Sequence, residues 1–102
     1  MYRYVLSDAA KRDLRQIAEY IAIELSAPDS AEELIIKLQE AFRHACLFPD
    51  SIPPVNDELF RARGYRKIIV NNYVAFVLID HGKETVNIVR VLYYRQDYQK
   101  IL

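Results

Sequence analysis

Apolar positions along the chain change period once, from helical to alternating, and the change divides it in two. Ala10, Leu14, Ile17, Ala18, Ile21 and Leu25 recur at helical spacing, with Lys11, Arg12, Arg15 and Glu19 between them, as on a helix with one buried face. Ser7 stands where a cap would start that helix, and Asp8 puts a carboxylate in its first turn. A second stripe, Ala31, Leu34, Ile35, Leu38, Ala41, Phe42 and Ala45, predicts another helix. Pro28 can open it, Ser30 and Glu33 are spaced as a capping box, and Pro49 ends it. The link Ser26-Ala27-Pro28 is so short that the two helices should form an antiparallel hairpin.

Strand formers occupy the rest. Tyr2–Leu6 reads as a short opening strand, and Tyr65–Val70, Tyr73–Asp80 and Lys83–Leu92 as three more. Asn71-Asn72 and His81-Gly82 are spaced as two-residue hairpin loops. These loops set a register of Val70–Tyr73, Ile68–Ala75 and Arg66–Val77, then Asp80–Lys83, Val77–Val86, Ala75–Ile88 and Tyr73–Arg90. Alternation then places Arg66, Ile68, Val70, Tyr73, Ala75, Val77, Val86, Ile88 and Arg90 on one face. Lys67, Ile69, Val74, Phe76, Leu78, Asn87, Val89 and Val91 fall on the other. Both faces are largely apolar, so the pattern leaves open which one the helices cover. Between the halves, Pro49–Gly64 is a proline-broken loop in which Leu59-Phe60-Arg61 can order. If elements alternate up and down, the first strand lies antiparallel beside the last.

Composition narrows this to one small domain over residues 1–102, with 52% hydrophobic residues to fill a core. Cys46 is the single cysteine, and no Cys/His spacing fits a zinc site, so no metal or other cofactor is expected. No apolar run is long enough for a membrane span and no signal-peptide pattern opens the chain. The expectation is a cytoplasmic protein.

Charge is neutral overall but uneven. Up to Glu58 there are eleven acids against six bases, a net −5; from Leu59 onward eight bases face three acids, a net +5. Arg61, Arg63, Arg66 and Lys67 lie within seven residues that contain no acid. The tail interleaves Tyr93, Tyr94, Arg95 and Tyr98, a composition that suits nucleic acid and protein contacts equally. In the same tail, Tyr98, Ile101 and Leu102 can equally dock a short final helix on the core. Arg90 interrupts an apolar strand, either as an arginine snorkelling from the sheet end or stacking on Tyr73, or as a fixed guanidinium in a binding site. On the second reading Arg90→Ala or Arg95→Ala would impair function and spare the fold. No Gly-rich phosphate loop, nucleophile elbow or paired-carboxylate motif is present.

The series Ala10-Lys11-Arg12-Asp13-Leu14, Ile17-Ala18-Glu19-Tyr20-Ile21, Phe48-Pro49, Gly64-Tyr65-Arg66-Lys67, Asn72-Tyr73 and Val91-Leu92-Tyr93-Tyr94-Arg95-Gln96-Asp97-Tyr98 resembles the RelE/ParE superfamily, toxins of type II toxin–antitoxin modules used in plasmid stabilization and growth inhibition. The resemblance runs nearly the whole chain. It implies an α+β fold of order β-α-α-β-β-β, a helical hairpin packed on a twisted antiparallel sheet with a short C-terminal helix or tail. It also implies a cognate antitoxin, and contact with operator DNA only through the antitoxin complex.

The superfamily divides by target. RelE-like members cut mRNA on the ribosome without a metal, which requires a base, an acid and cations on the phosphate. Many carry an arginine just after the tyrosine that begins the third sheet strand, whereas Tyr73 here is followed by Val74. The only participants this chain could offer are Arg66, Arg90, Arg95, Tyr94 and Tyr98. ParE-like members poison DNA gyrase and need no catalytic set; the long hairpin and the tail resemble that branch more closely. A partner surface would then draw on Arg61, Arg63, Arg66, Lys67, Tyr73, Arg90, Tyr93, Tyr94, Arg95 and Tyr98. The remaining alternative is a non-toxic interaction module.

Overall fold

Ser7 sets where the first helix begins. Its backbone is extended, its Oγ accepts from the Ala10 N–H at 2.9 Å, and the hydroxyl donates to the Val89 carbonyl at 2.6 Å. One side chain thus caps a helix and ties it to the sheet. In the computed structural model, which describes residues 1–102, the elements are β1 (Arg3–Leu6), α1 (Asp8–Glu19), α2 (Pro28–Leu47), α3 (Glu58–Ala62), β2 (Arg66–Val70), β3 (Tyr73–Asp80), β4 (Thr85–Tyr93) and α4 (Tyr98–Ile101). This is the expected α+β order, with the short C-terminal helix.

The first helix does not run as one α-helix to Leu25. It widens into a π turn over Tyr20–Glu24, which rotates the following residues off the buried stripe; Leu25 is 56% exposed. The expected capping box at Ser30 and Glu33 is also not formed. Pro28 is itself the first helical residue and Ala27 the cap, so Ser30 stands at the third helical position and not at the cap.

The sheet order is β1-β4-β3-β2. The first strand does lie beside the last, but parallel to it, pairing Arg3 with Thr85 and Leu6 with Ile88. The sheet is therefore mixed rather than wholly antiparallel. The cause lies in the connector after α2, which carries structure of its own and breaks the up-down alternation. Pro53 O accepts from the Lys67 N–H at 3.0 Å, and Val55 donates to Tyr65 O at 3.2 Å, so this segment runs antiparallel along the start of β2. Then α3 turns the chain. It starts at the Asp57 cap and ends at Gly64, whose φ of +90° closes the helix through Gly64 N–H to Arg61 O and Tyr65 N–H to Phe60 O.

The β2–β3 hairpin has the expected register, with Asn71 in the left-handed region. The β3–β4 hairpin does not. Asp80 pairs with Thr85 across four loop residues, because the Asp80 carboxylate accepts from Lys83 N–H at 3.0 Å and holds a wider turn that Glu84 closes at φ +52°. Val77 therefore faces Ile88 and not Val86. A bulge at Val89 follows, so that Phe76 faces Arg90, Ala75 faces Val91 and Tyr73 faces Tyr93.

That one extra residue exchanges the faces of the end of β4. Val91 joins Ala75, Val77, Val86 and Ile88 under the helices, with Leu34, Leu38 and Phe42 of α2 packed against them. The helices thus cover the Val77 face. On the opposite face a smaller cluster gathers Val55, Phe60, Phe76 and Leu92, closed over by Tyr98, Ile101 and Leu102. No helix is long and apolar enough to cross a membrane.

Candidate protein-binding site at the sheet end

Beyond Ile88 the edge of β4 has no strand partner, because β1 ends at Leu6. Polar groups from α1 take the place of a strand. Asp13 is 7% exposed; its Oδ2 accepts from the Val91 N–H at 2.9 Å and from Arg90 Nε at 2.7 Å, and its Oδ1 accepts from Arg90 Nη2 at 2.7 Å. This bidentate pair is the strong form of a carboxylate–guanidinium contact, and its hydrogen bonds push the pKa of Arg90 further above its ordinary value. Arg90 is thus fixed by an intramolecular partner, which departs from the expectation that removing it would spare the fold. Asp13 had a signal in the sequence: it stands three residues after Ala10 and four before Ile17, on the apolar stripe.

Two concave regions meet at this end of the sheet. The larger, about 940 Å³, opens between the helical hairpin and the ends of β3 and β4, with Tyr20, Tyr73, Tyr93, Gln16 and Gln96 in its wall. Its only charged lining residues are Asp13 and Arg90, which neutralise one another. Burial raises the pKa of Tyr73, helped by the nearby Tyr93 and Tyr20 hydroxyls, so this phenol stays neutral through the physiological range. The smaller region, about 140 Å³, lies on the other face over Val74, Phe76 and Leu92, beneath Tyr94 and Tyr98 and beside Lys67. The turn from Tyr93 to Gln96 separates them: both residues line both cavities, and the Gln96 N–H donates to Tyr93 O at 2.9 Å.

The remaining basic residues are distributed, not gathered. Arg61 donates to the carbonyls of Val55 and Asn56, at 3.0 and 3.2 Å, and shapes the connector. Arg66 donates to Ile52 O at 2.7 Å. Arg63 lies over the Phe60 ring at 5.7 Å, and Arg95 lies over Tyr94 at 5.3 Å while donating to its hydroxyl at 2.8 Å. The tyrosines do come together: Tyr73 meets Tyr93 edge-on at 5.8 Å, Tyr93 meets Tyr94 at 5.0 Å, and Tyr98 packs on Phe76 at 4.9 Å. Of the five side chains RNA cleavage could have drawn on, Tyr94 and Tyr98 line the small cavity and Arg90 the large one, while Arg66 and Arg95 line neither. No group of three or more His, Cys, Asp or Glu side chains is arranged to hold a metal ion.

A hairpin of helices over a four-stranded sheet, with a short helix sealing the far face, is a comparison in itself, and sequence comparison decides the family. Residues 4–98 match the sequence model described as ParE toxin of type II toxin-antitoxin system, parDE. The chain belongs to the ParE toxin family. It is 33% identical over 100 residues to Toxin ParE1 of Mycobacterium tuberculosis, in strains CDC 1551 and H37Rv, spanning 98% of this chain and 97% of that protein. Its fold is similar to a structure of the chromosomal ParDE TA system from P. aeruginosa, with a TM-score of 0.73 at 16% identity over 91% of this chain and 96% of that one. It is also similar to a chain of the toxin-antitoxin complex RelBE2 from Mycobacterium tuberculosis, with a TM-score of 0.62 at 22% identity over 90% of each. The ParE family assignment thus rests on sequence, and the structural likeness agrees in fold. It accords with the RelE/ParE resemblance and with the nearer likeness to the ParE branch.

Proposed function

We propose that this ParE-family toxin arrests growth by binding and poisoning DNA gyrase, and that a cognate antitoxin neutralises it by covering the tyrosine-rich end of the sheet. The dispersal of the arginines carries the reading. Cleavage of RNA needs a base, an acid and a phosphate-binding cation around one phosphate, whereas Arg66, Arg90 and Arg95 are each engaged within the chain and point to different places. Val74 adds an apolar floor where a ribonuclease would need a charge. A toxin that acts by binding needs only a formed surface, and Tyr73, Tyr93 and Tyr94 supply rigid aromatic area of the kind that dominates protein interfaces. The solved relatives, a ParDE system and a RelBE2 complex, support an antitoxin partner.

The deciding experiment sets purified toxin against gyrase in a supercoiling assay, beside a ribosome-dependent mRNA cleavage assay. Loss of supercoiling, with intact mRNA and rescue by a cognate antitoxin, is the expected outcome. Message cut on the ribosome with gyrase unaffected would overturn the gyrase reading; no growth arrest in cells would leave a non-toxic interaction module.

A further inference from the structure

The two cavities at the sheet end differ in charge. In the large groove Asp13 and Arg90 cancel, leaving neutral amides and rings. In the small one Lys67 is the only charged residue among the eleven that line it. The ion pairs of the chain join Met1 to Glu84, His81 to Asp50 and Arg90 to Asp13, so the Lys67 ammonium is unpaired. Its backbone is fixed on both sides, by pairing with Phe76 and by the bond from its N–H to Pro53 O. The strand therefore holds the start of this side chain rigidly on the Phe76 face.

Around that cation the walls are aromatic with polar tips. Tyr94 and Tyr98 bring hydroxyls, Asn56 and Gln96 bring amides, and Val74, Phe76 and Leu92 make the floor. An unpaired ammonium at the rim of an apolar pocket attracts a carboxylate whose stem is itself apolar. Size narrows the guest further. At about 140 Å³ the pocket falls below the roughly 300–1,000 Å³ of sites that enclose a small molecule. One amino-acid side chain fits.

We propose that the Lys67 pocket is a docking site for an acidic peptide segment of the antitoxin, taking one glutamate or aspartate side chain against Lys67 with a flanking apolar residue over Tyr94 and Tyr98. This rests on the reading of the sheet end as a protein-binding surface. It divides that surface into a neutral groove for apolar contact and a cationic pocket that selects charge. Because the Tyr93–Gln96 turn walls both, one segment can cross the turn and engage the two together.

The test is a titration of isotope-labelled full-length toxin with N-acetyl-Leu-Glu-Phe-amide, followed by NMR. Saturable shifts at Lys67, Phe76, Tyr94 and Tyr98 are expected. Affinity should fall at least about tenfold when the peptide glutamate is replaced by glutamine, and by a similar factor in Lys67→Met, while Lys67→Arg restores most of it. Should Lys67→Met disturb the fold, the same conclusion follows from salt, since a charge-selected contact weakens as ionic strength rises. Equal binding of the glutamine peptide, or insensitivity to both salt and Lys67→Met, would overturn the proposal. So would uridine 3′-monophosphate shifting these signals where the peptide does not. The readout is independent of toxicity. A toxin that spares gyrase yet binds the glutamate peptide fails only the earlier reading; one that poisons gyrase and ignores the peptide fails only this one.

Discussion

At the scale of single residues, Asp13 has the largest structural task. It supplies the hydrogen bond that a neighbouring strand would have given to Val91, and it neutralises the one charge inside an apolar strand. Removing one member of a buried ion pair leaves the other without compensation, typically at a cost of about 3–5 kcal/mol. Asp13→Ala should lie in that range in urea denaturation, since it also orphans the Val91 N–H. Arg90→Ala should cost less, on the order of 2–3 kcal/mol, because solvent reaches a quarter of the guanidinium side chain and Asp13 keeps one donor. The two changes together should cost clearly less than their sum. Full additivity would mean that the pair is not one unit. Any loss of toxicity in Arg90→Ala must therefore be read beside its stability, whereas Arg95, exposed on the tail with its hydrogen bond and cation–π contact both to Tyr94, remains the cleaner probe of target contact.

At the scale of elements, short connectors decide more than long helices do. Gly64 closes α3 in a conformation that costs any residue with a Cβ about 1–2 kcal/mol. A Cβ there would meet nothing closer than Leu78 at 3.8 Å, so the expected penalty of Gly64→Ala is conformational and not steric. A loss of about 1 kcal/mol or more in chemical denaturation, with an unchanged fold by circular dichroism, is the predicted result. The hairpin helices were legible because their stripes are long and their breakers strong: Ser7, Pro28 and Pro49 mark boundaries that Ser26, at φ +51°, then joins. The β3–β4 register was not legible, because His81-Gly82 satisfies a tight-turn pattern while Asp80 selects a wider turn through a bond to Lys83. The bulge at Val89 left no mark either. Val89, Val91 and Leu92 are all apolar, so an alternating reading cannot tell which residue leaves the pattern.

For the whole molecule, the sheet is a wall with a different cover on each side. The large cluster faces α1 and α2; the small one depends on the last five residues, since Tyr98, Ile101 and Leu102 complete it. Deleting Tyr98–Leu102 should expose Phe60, Phe76 and Leu92, cost on the order of 2–4 kcal/mol and raise binding of an apolar fluorescent dye. It would also unroof the Lys67 pocket, so peptide affinity should fall with it. A truncated chain of unchanged stability and dye binding would show that α4 adds little to the fold.

Chain composition and period by themselves determined the halves, the helical hairpin, the three later strands and the basic and tyrosine-rich end, because each is written in local signals of spacing, capping and turn residues; the superfamily was legible only as a resemblance of the motif series. Only the tertiary structure decided the parallel β1–β4 pair, the helix-covered face, the partner of Arg90 and the split of the sheet end into a neutral groove and a cationic pocket. Those depend on contacts between residues as distant as Asp13 and Arg90, and on one extra residue in β4 whose effect is to exchange inside and outside. Local preference carries no record of either.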